Sequence, residues 1–143
     1  MKKIILLIAA AFIFACSGPK GMVKIESNGN EVTQAATVTE EDSVEYELIV
    51  MDPEFESWYI FQDSPARYRS QQYYESWNRQ YVSAWNALAM NPGRRSFFQT
   101  IIGYEPNVDY GFKLNHKLFY YFQYVEHKLR IPILSNGPVG VVI

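Results

Sequence analysis

One cysteine, two histidines and no long apolar run: what this 143-residue chain has little of narrows its chemistry first. A lone cysteine, Cys16, can form no intramolecular disulfide, so the fold must stand on its apolar core. No Cys-x-x-Cys pair, Gly-rich phosphate loop, His-Glu-x-x-His helix or Gly-x-Ser-x-Gly turn is present. His116 and His127 fall eleven residues apart on one predicted helix, a rise of about 16 Å, too far to ligate one metal ion. Each is expected at the surface. Thirteen basic residues against fifteen acidic ones leave no excess for neutralising phosphates, which argues against nucleic acid. Arg94-Arg95 and Lys113/Lys117 are the largest basic groupings, and both are small. The apolar stretch from Ile4 to Ala15 is shorter than the roughly 20 residues a membrane-spanning helix needs.

What is there begins with that stretch. Met1, the basic pair Lys2-Lys3, Ile4 to Ala15 and then Cys16 have the order of an export signal. Ile13-Phe14-Ala15-Cys16 resembles a bacterial lipobox, although the commonest form has Leu first and a small residue second. The alternative is an ordinary signal cut beside a chance cysteine, which would leave a lone exposed thiol on an exported chain. The expected organisation is a lipoprotein signal peptide over 1–15, a lipidated Cys16 with a flexible linker over 16–43, and a single globular domain over 44–143. Residues 17–43 are rich in Ser, Gly, Asn, Thr and Glu, and are expected to hold the domain off the membrane. Removing residues 1–15 takes Lys2 and Lys3 and no acidic group, for a mature side-chain charge of −4, eleven against fifteen. Ser17-Gly18-Pro19-Lys20-Gly21 has no acidic run after the cysteine, which points to the periplasmic face of the outer membrane.

The domain is unusually aromatic, with eleven Tyr, nine Phe and three Trp in the chain, and such side chains serve both cores and ligand platforms. Val44 to Met51 alternates as a strand, ended by Asp52-Pro53. Phe55 to Phe61 reads as a second extended segment. Ser64-Pro65 reads as cap and first residue of a helix reaching Met90, with Tyr73, Tyr74, Trp77, Tyr81, Ala84, Trp85 and Leu88 on one face. Ser96 to Ile102 is open between strand and helix. Asp109 is expected to cap a second helix running to Leu129, with Leu114, Leu118, Tyr121, Phe122, Val125 and Leu129 inward. Short closing strands are expected over 131–134 and 139–143. The fold class is α+β: two amphipathic, aromatic-faced helices packed on a small sheet.

Tyr73-Tyr74-Glu75-Ser76-Trp77-Asn78-Arg79-Gln80-Tyr81-Val82, with Met51-Asp52-Pro53-Glu54-Phe55, Tyr104-Glu105-Pro106 and Leu114-Asn115-His116-Lys117-Leu118, carries a resemblance. Over about 46–134 the chain resembles a family of small Bacteroidota lipoproteins classed as a domain of unknown function. The resemblance implies lipoprotein localisation and one compact domain, and it brings no activity, cofactor or catalytic residue.

Three groups are candidate sites. Asp52, Glu54 and Glu56 form an acidic cluster after a strand, either a solvated turn or a weak cation site without the glycine and ligand register of an EF-hand. Asn78, Arg79, Asn86 and Asn115 flank the aromatic faces, either lining a groove for a glycan or serving the fold by satisfying one another. His116, Tyr120, Tyr124 and His127 project from the outer side of the second helix, either as a partner surface or covered by the segment around Trp58. Glu54, Glu56, Glu75, Glu105 and Asp109 are the carboxylates from which a hydrolytic pair would come. The leading expectation is a non-catalytic, lipid-anchored scaffold or partner-binding domain of the envelope that needs no cofactor and no metal. The rival is an envelope glycan-binding module or hydrolase.

Overall fold

Gly21 has φ +84°, and a Cβ there would lie 2.0 Å from the Phe97 carbonyl oxygen. Only glycine fits such a left-handed, backbone-to-backbone contact. The computed structural model describes residues 21–27, 45–93 and 96–138. Immediately after Gly21 comes β1 (Val23–Ser27), antiparallel to β2 (Tyr46–Val50), with Val23 opposite Val50 and Ile25 opposite Leu48. This corrects the linker expectation for residues 23–27: Val23 and Ile25 alternate with Lys24 and Glu26, enough apolar side chain to pair and pack. Residues 17–20 and 28–43 of that linker lie outside the described residues, as do residues 1–16.

Three helices follow. Asp52 caps α1 (Pro53–Gln62), its carboxylate accepting from the Glu54 N–H at 3.0 Å, with Pro53 in the first turn. The extended segment expected over 55–61 is therefore helical. A 3₁₀ turn at Pro65–Arg67 separates α1 from α2 (Gln71–Met90), and Ser70, not Ser64, is the cap of α2, accepting from the Tyr73 N–H at 3.2 Å. α3 (Gly111–Gln123) begins after a bend in which Asp109 accepts the Gly111 N–H at 2.9 Å. It continues as a π-helical turn over Tyr124–Lys128 and stops at Arg130, whose φ is +60°. Residues 131–134 form no strand, and 139–143 lie outside the described residues.

The architecture is α+β, with three helices and a two-stranded antiparallel sheet among the described residues. α3 is the axis, buried on nearly every side. Tyr74, Tyr81 and Trp85 of α2 cover one flank, with Tyr81 stacked on Phe122 at 4.9 Å. Phe55, Trp58 and Tyr59 of α1 cover another, Phe55 meeting Tyr121 edge-on at 5.2 Å. Leu48 and Val23 close the core from the sheet. Glu126 on the π-helical turn clasps the last described segment, accepting from Tyr81 O–H at 2.6 Å and from the backbone N–H groups of Ile133 and Leu134.

Candidate functional sites

α1 buries most of the strip expected on the outer side of α3. His116, Tyr120 and Tyr124 are each 1 % exposed, lying beneath Trp58 and Tyr59, while His127 alone stays at the surface. The surface reading of His116, Tyr120 and Tyr124 is thus corrected; the segment around Trp58 covers them. His116 Nδ1 shares a 2.7 Å hydrogen bond with Tyr59 O–H and lies 4.0 Å from the exposed Asp63 carboxylate. Its Nε2 has no hydrogen-bond partner, and the ring packs against those of Tyr74, Phe112 and Tyr120. Burial lowers the His116 pKa, with Asp63 opposing in part. Burial likewise raises Tyr59, Tyr121 and Tyr124, the last two also feeling the buried Asp52 carboxylate.

The asparagines serve the fold. Asn78 and Asn115 are fully buried, and Asn78 donates to the Asn115 carbonyl at 2.9 Å and to its side-chain oxygen at 3.2 Å. Tyr104 O–H donates to the same oxygen at 2.8 Å. Asn86 exchanges two hydrogen bonds with the Ile102 backbone, fastening the 97–110 loop to α2. Arg79 lies 3.8 Å from Glu75 one helical turn back. A groove lined by these four is corrected accordingly: two are buried and one is spent on a loop, with Asn78 Oδ1 alone of the buried amide atoms of this pair left without a partner.

The acidic cluster also comes apart. Asp52 is the cap of α1 and 2 % exposed, Glu54 is exposed in the first turn, and Glu56 reaches across to Lys117 at 2.7 Å. Among the described residues no group of three His, Cys, Asp or Glu side chains could hold a metal ion.

Other side chains do converge. Gln71 Nε2 donates to Glu75 Oε1 and to Asp109 Oδ1, each at 2.8 Å, which places the two carboxylate oxygens about 5 Å apart across one planar amide. Tyr104 stands close by, its phenol pushed up to about 12 by burial and by the Glu75 carboxylate, with Arg79 acting the other way. Two adjoining cavities run between β2 and the start of α3. One of about 380 Å³ is lined by Glu45, Tyr46, Asp109, Tyr110 and Lys113, and one of about 240 Å³ by Tyr46, Glu47, Lys113 and Lys117. Tyr46, Tyr110 and Tyr104 form a continuous aromatic wall behind the first, with neighbouring ring centres 4.8 Å apart. Glu75 does not line either cavity.

Elsewhere on the sheet, Met22, Val23, Lys24, Ile49, Met51 and Ile101 line an apolar groove of about 310 Å³ that spans both strands. Sequence reasoning finds neither of these surfaces, because each is assembled from segments far apart in the chain. Residue 71 carries no signal either, since a glutamine near a helix start is commonplace.

Residues 4–139 match the model of the family of unknown function DUF6146, and the chain belongs to that family. No curated protein and no solved structure matches it.

Proposed function

We propose that this member of the family is a non-catalytic lipoprotein of the bacterial envelope. In this reading residues 1–15 are its export signal, Cys16 carries its acyl anchor, and the globular domain, which begins by Gly21, binds a partner at the periplasmic face of the outer membrane. The groove between β2 and α3 is its binding surface. The observation that carries the reading is where the polar side chains go. Asn78, Asn86, Asn115, Asp52, His116 and Glu126 are spent on the fold, as is Lys117 through its pair with Glu56, whereas Glu45, Glu47 and Lys113 stand around a groove backed by Tyr46 and Tyr110. Acidic groups on the β2 rim facing a lysine on the α3 rim, over an aromatic floor, suit a protein segment, with the tyrosines giving contact area and the charges setting register.

Two measurements test it. Cys16→Ser moves the chain from the membrane to the soluble fraction, and mass spectrometry finds acyl mass on the wild-type Cys16. A photo-crosslinking residue at Lys113 captures a defined envelope protein in intact cells, while one at Gln80, exposed on α2, does not. Equal capture at both positions, or none at Lys113, removes the groove from the account.

A hydrolytic reading has one specific observation in its favour, the Glu75–Asp109 pair, whose spacing matches the roughly 5 Å of retaining glycosidases. The Gln71 amide fills the space between the two carboxylates, which is where a sugar would have to lie. Release of muropeptides from peptidoglycan by the wild-type chain, lost in Glu75→Gln, decides for it.

A further inference from the structure

We propose that the apolar surface formed by Met22, Ile49, Met51, Ile101 and Met90 rests on the lipid bilayer, so that the domain lies against the membrane with this face down. The proposal depends on the acylation of Cys16 proposed above. Met51, Ile101 and Met90 are 53 %, 56 % and 65 % exposed, half of the large apolar side chains that stand in water among the described residues. They are contiguous: the groove lined by Met22, Ile49, Met51 and Ile101 adjoins a second lined by Ala89, Met90 and again Ile101. A soluble surface has no use for such a patch, and its chemistry fits either a membrane or another protein.

The length of chain between the anchor and the patch selects the membrane. Four residues separate Cys16 from Gly21, so even fully extended they reach no more than about 18 Å. Gly21 is not a loose end. Its backbone lies against the Phe97 carbonyl too closely for any side chain, and Met22 beside it accepts the Met51 N–H at 3.1 Å. Thr100 then clasps the next residue from both sides, its hydroxyl donating to the Val23 carbonyl at 3.0 Å and receiving the Val23 N–H at 3.4 Å. Trp85 Nε1–H holds the Thr100 carbonyl at 2.8 Å. The chain leaving the lipid is therefore bolted to the residues that carry the patch, and a leash this short cannot hold that edge of the domain away from the headgroups. Lys24 and Glu26 pair with each other at 2.7 Å at the groove's rim, so the contact with lipid is apolar rather than electrostatic.

The test uses the full chain, matured in cells and reconstituted in phosphatidylethanolamine–phosphatidylglycerol vesicles, some with brominated acyl chains. Acylation consumes Cys16, so Ile101→Cys, Met90→Cys or Ile60→Cys provides one free thiol for an environment-sensitive fluorophore. Ile60, 71 % exposed at the far end of α1, is the comparison site. The expected result is a blue-shifted emission at 101 and 90 that loses most of its intensity to brominated lipid, and a water-like emission at 60 that does not. With Cys16 acylated by mass, a water-like label at 101 and 90 overturns the orientation and leaves the anchor standing. So does a blue shift there without quenching by brominated lipid, which means a second copy or a partner protein covers the face. A bare Cys16 thiol overturns both readings together.

Discussion

α1 and α2 grip the same helix from different sides, yet they are written in different languages. α2 shows its role in one dimension: aromatic residues recur at helical spacing, polar residues fill the other side, and a serine caps the start. α1 has no such stripe. Phe55 and Gln62 are buried, Trp58 and Tyr59 are half-buried, and Ile60 and Phe61 stand in water. Its helix is specified by its beginning, where Asp52 and Pro53 satisfy and pre-set the first turn, and by the aromatic flank of α3 that it covers. A helix with a clean stripe can be read from its own residues; one that plugs an aromatic surface is read only with that surface in view.

The strongest way to break this comparison is to empty a site on each helix. Trp85 on α2 and Phe55 on α1 are both fully buried. Trp85→Ala and Phe55→Ala are each expected to lower the stability of the domain by about 3–5 kcal/mol, measured by denaturant unfolding. Equal costs mean that α1 belongs to the core as fully as α2. A cost for Phe55→Ala below about 1 kcal/mol makes α1 a detachable cover, and the cluster around His116 would then be open part of the time. Trp77, half-buried on α2, is expected to cost less than Trp85, because much of its ring area never leaves water.

Much of the scaffold was legible from the residues. The strand ending at Asp52-Pro53, the aromatic face of α2 and its end at Met90, and the extent of α3 follow from periodicity and punctuation. What failed did so for identifiable reasons. Phe55, Trp58, Tyr59 and Phe61 have strong strand preference, so the segment read as extended, and packing on α3 overrode that preference. Without α1 in view, Tyr120, Tyr124 and His116 stay open between a partner surface and cover by the segment around Trp58, and their contacts follow the second. The β1 strand was lost because polar neighbours diluted a five-residue signal in a Ser- and Asn-rich stretch. Ser64-Pro65 carried the cap chemistry of a helix start, yet it opens only a 3₁₀ turn, and Ser70 takes the cap of α2. The asparagines were legible as polar groups at a core, and their alternative reading, mutual satisfaction, is the one their bonds follow.

The caps sharpen the comparison at a smaller scale. Asp52→Ala removes the acceptor for the Glu54 N–H and is expected to cost about 0.5–2 kcal/mol; Ser70→Ala removes the equivalent bond of α2 at the same scale. If α1 depends on its beginning more than α2 does, Asp52→Ala also weakens amide-exchange protection along α1, while Ser70→Ala leaves α2 protected beyond its first turn. Smaller still is the pair between Glu56 of α1 and Lys117 of α3, at 2.7 Å with Glu56 nearly half exposed. Glu56→Gln is expected to change stability by less than about 1 kcal/mol, and less in high salt.

The effect least visible at neutral pH belongs to His116, which touches both helices through Tyr59 and Tyr74. Burial holds its imidazole below the ordinary 6.5, against a weaker pull from Asp63. Above that value the ring is neutral in the folded and the unfolded chain alike, and its titration contributes no pH dependence. As the pH falls through 6.5 the unfolded chain takes up the proton and the folded one does not. Stability therefore drops from there until the folded imidazole itself is charged, and then levels. Carboxylates also respond to acid, so the measurement is a difference: wild type loses more stability than His116→Gln between pH 7.5 and pH 5. The His116 ring proton in the wild-type NMR spectrum, titrating below the range of a free imidazole, gives the same answer without a substitution. Loss of this slope in Phe55→Ala, but not in Ser70→Ala, would tie the buried state of the ring to α1, the helix whose own sequence says least about its place.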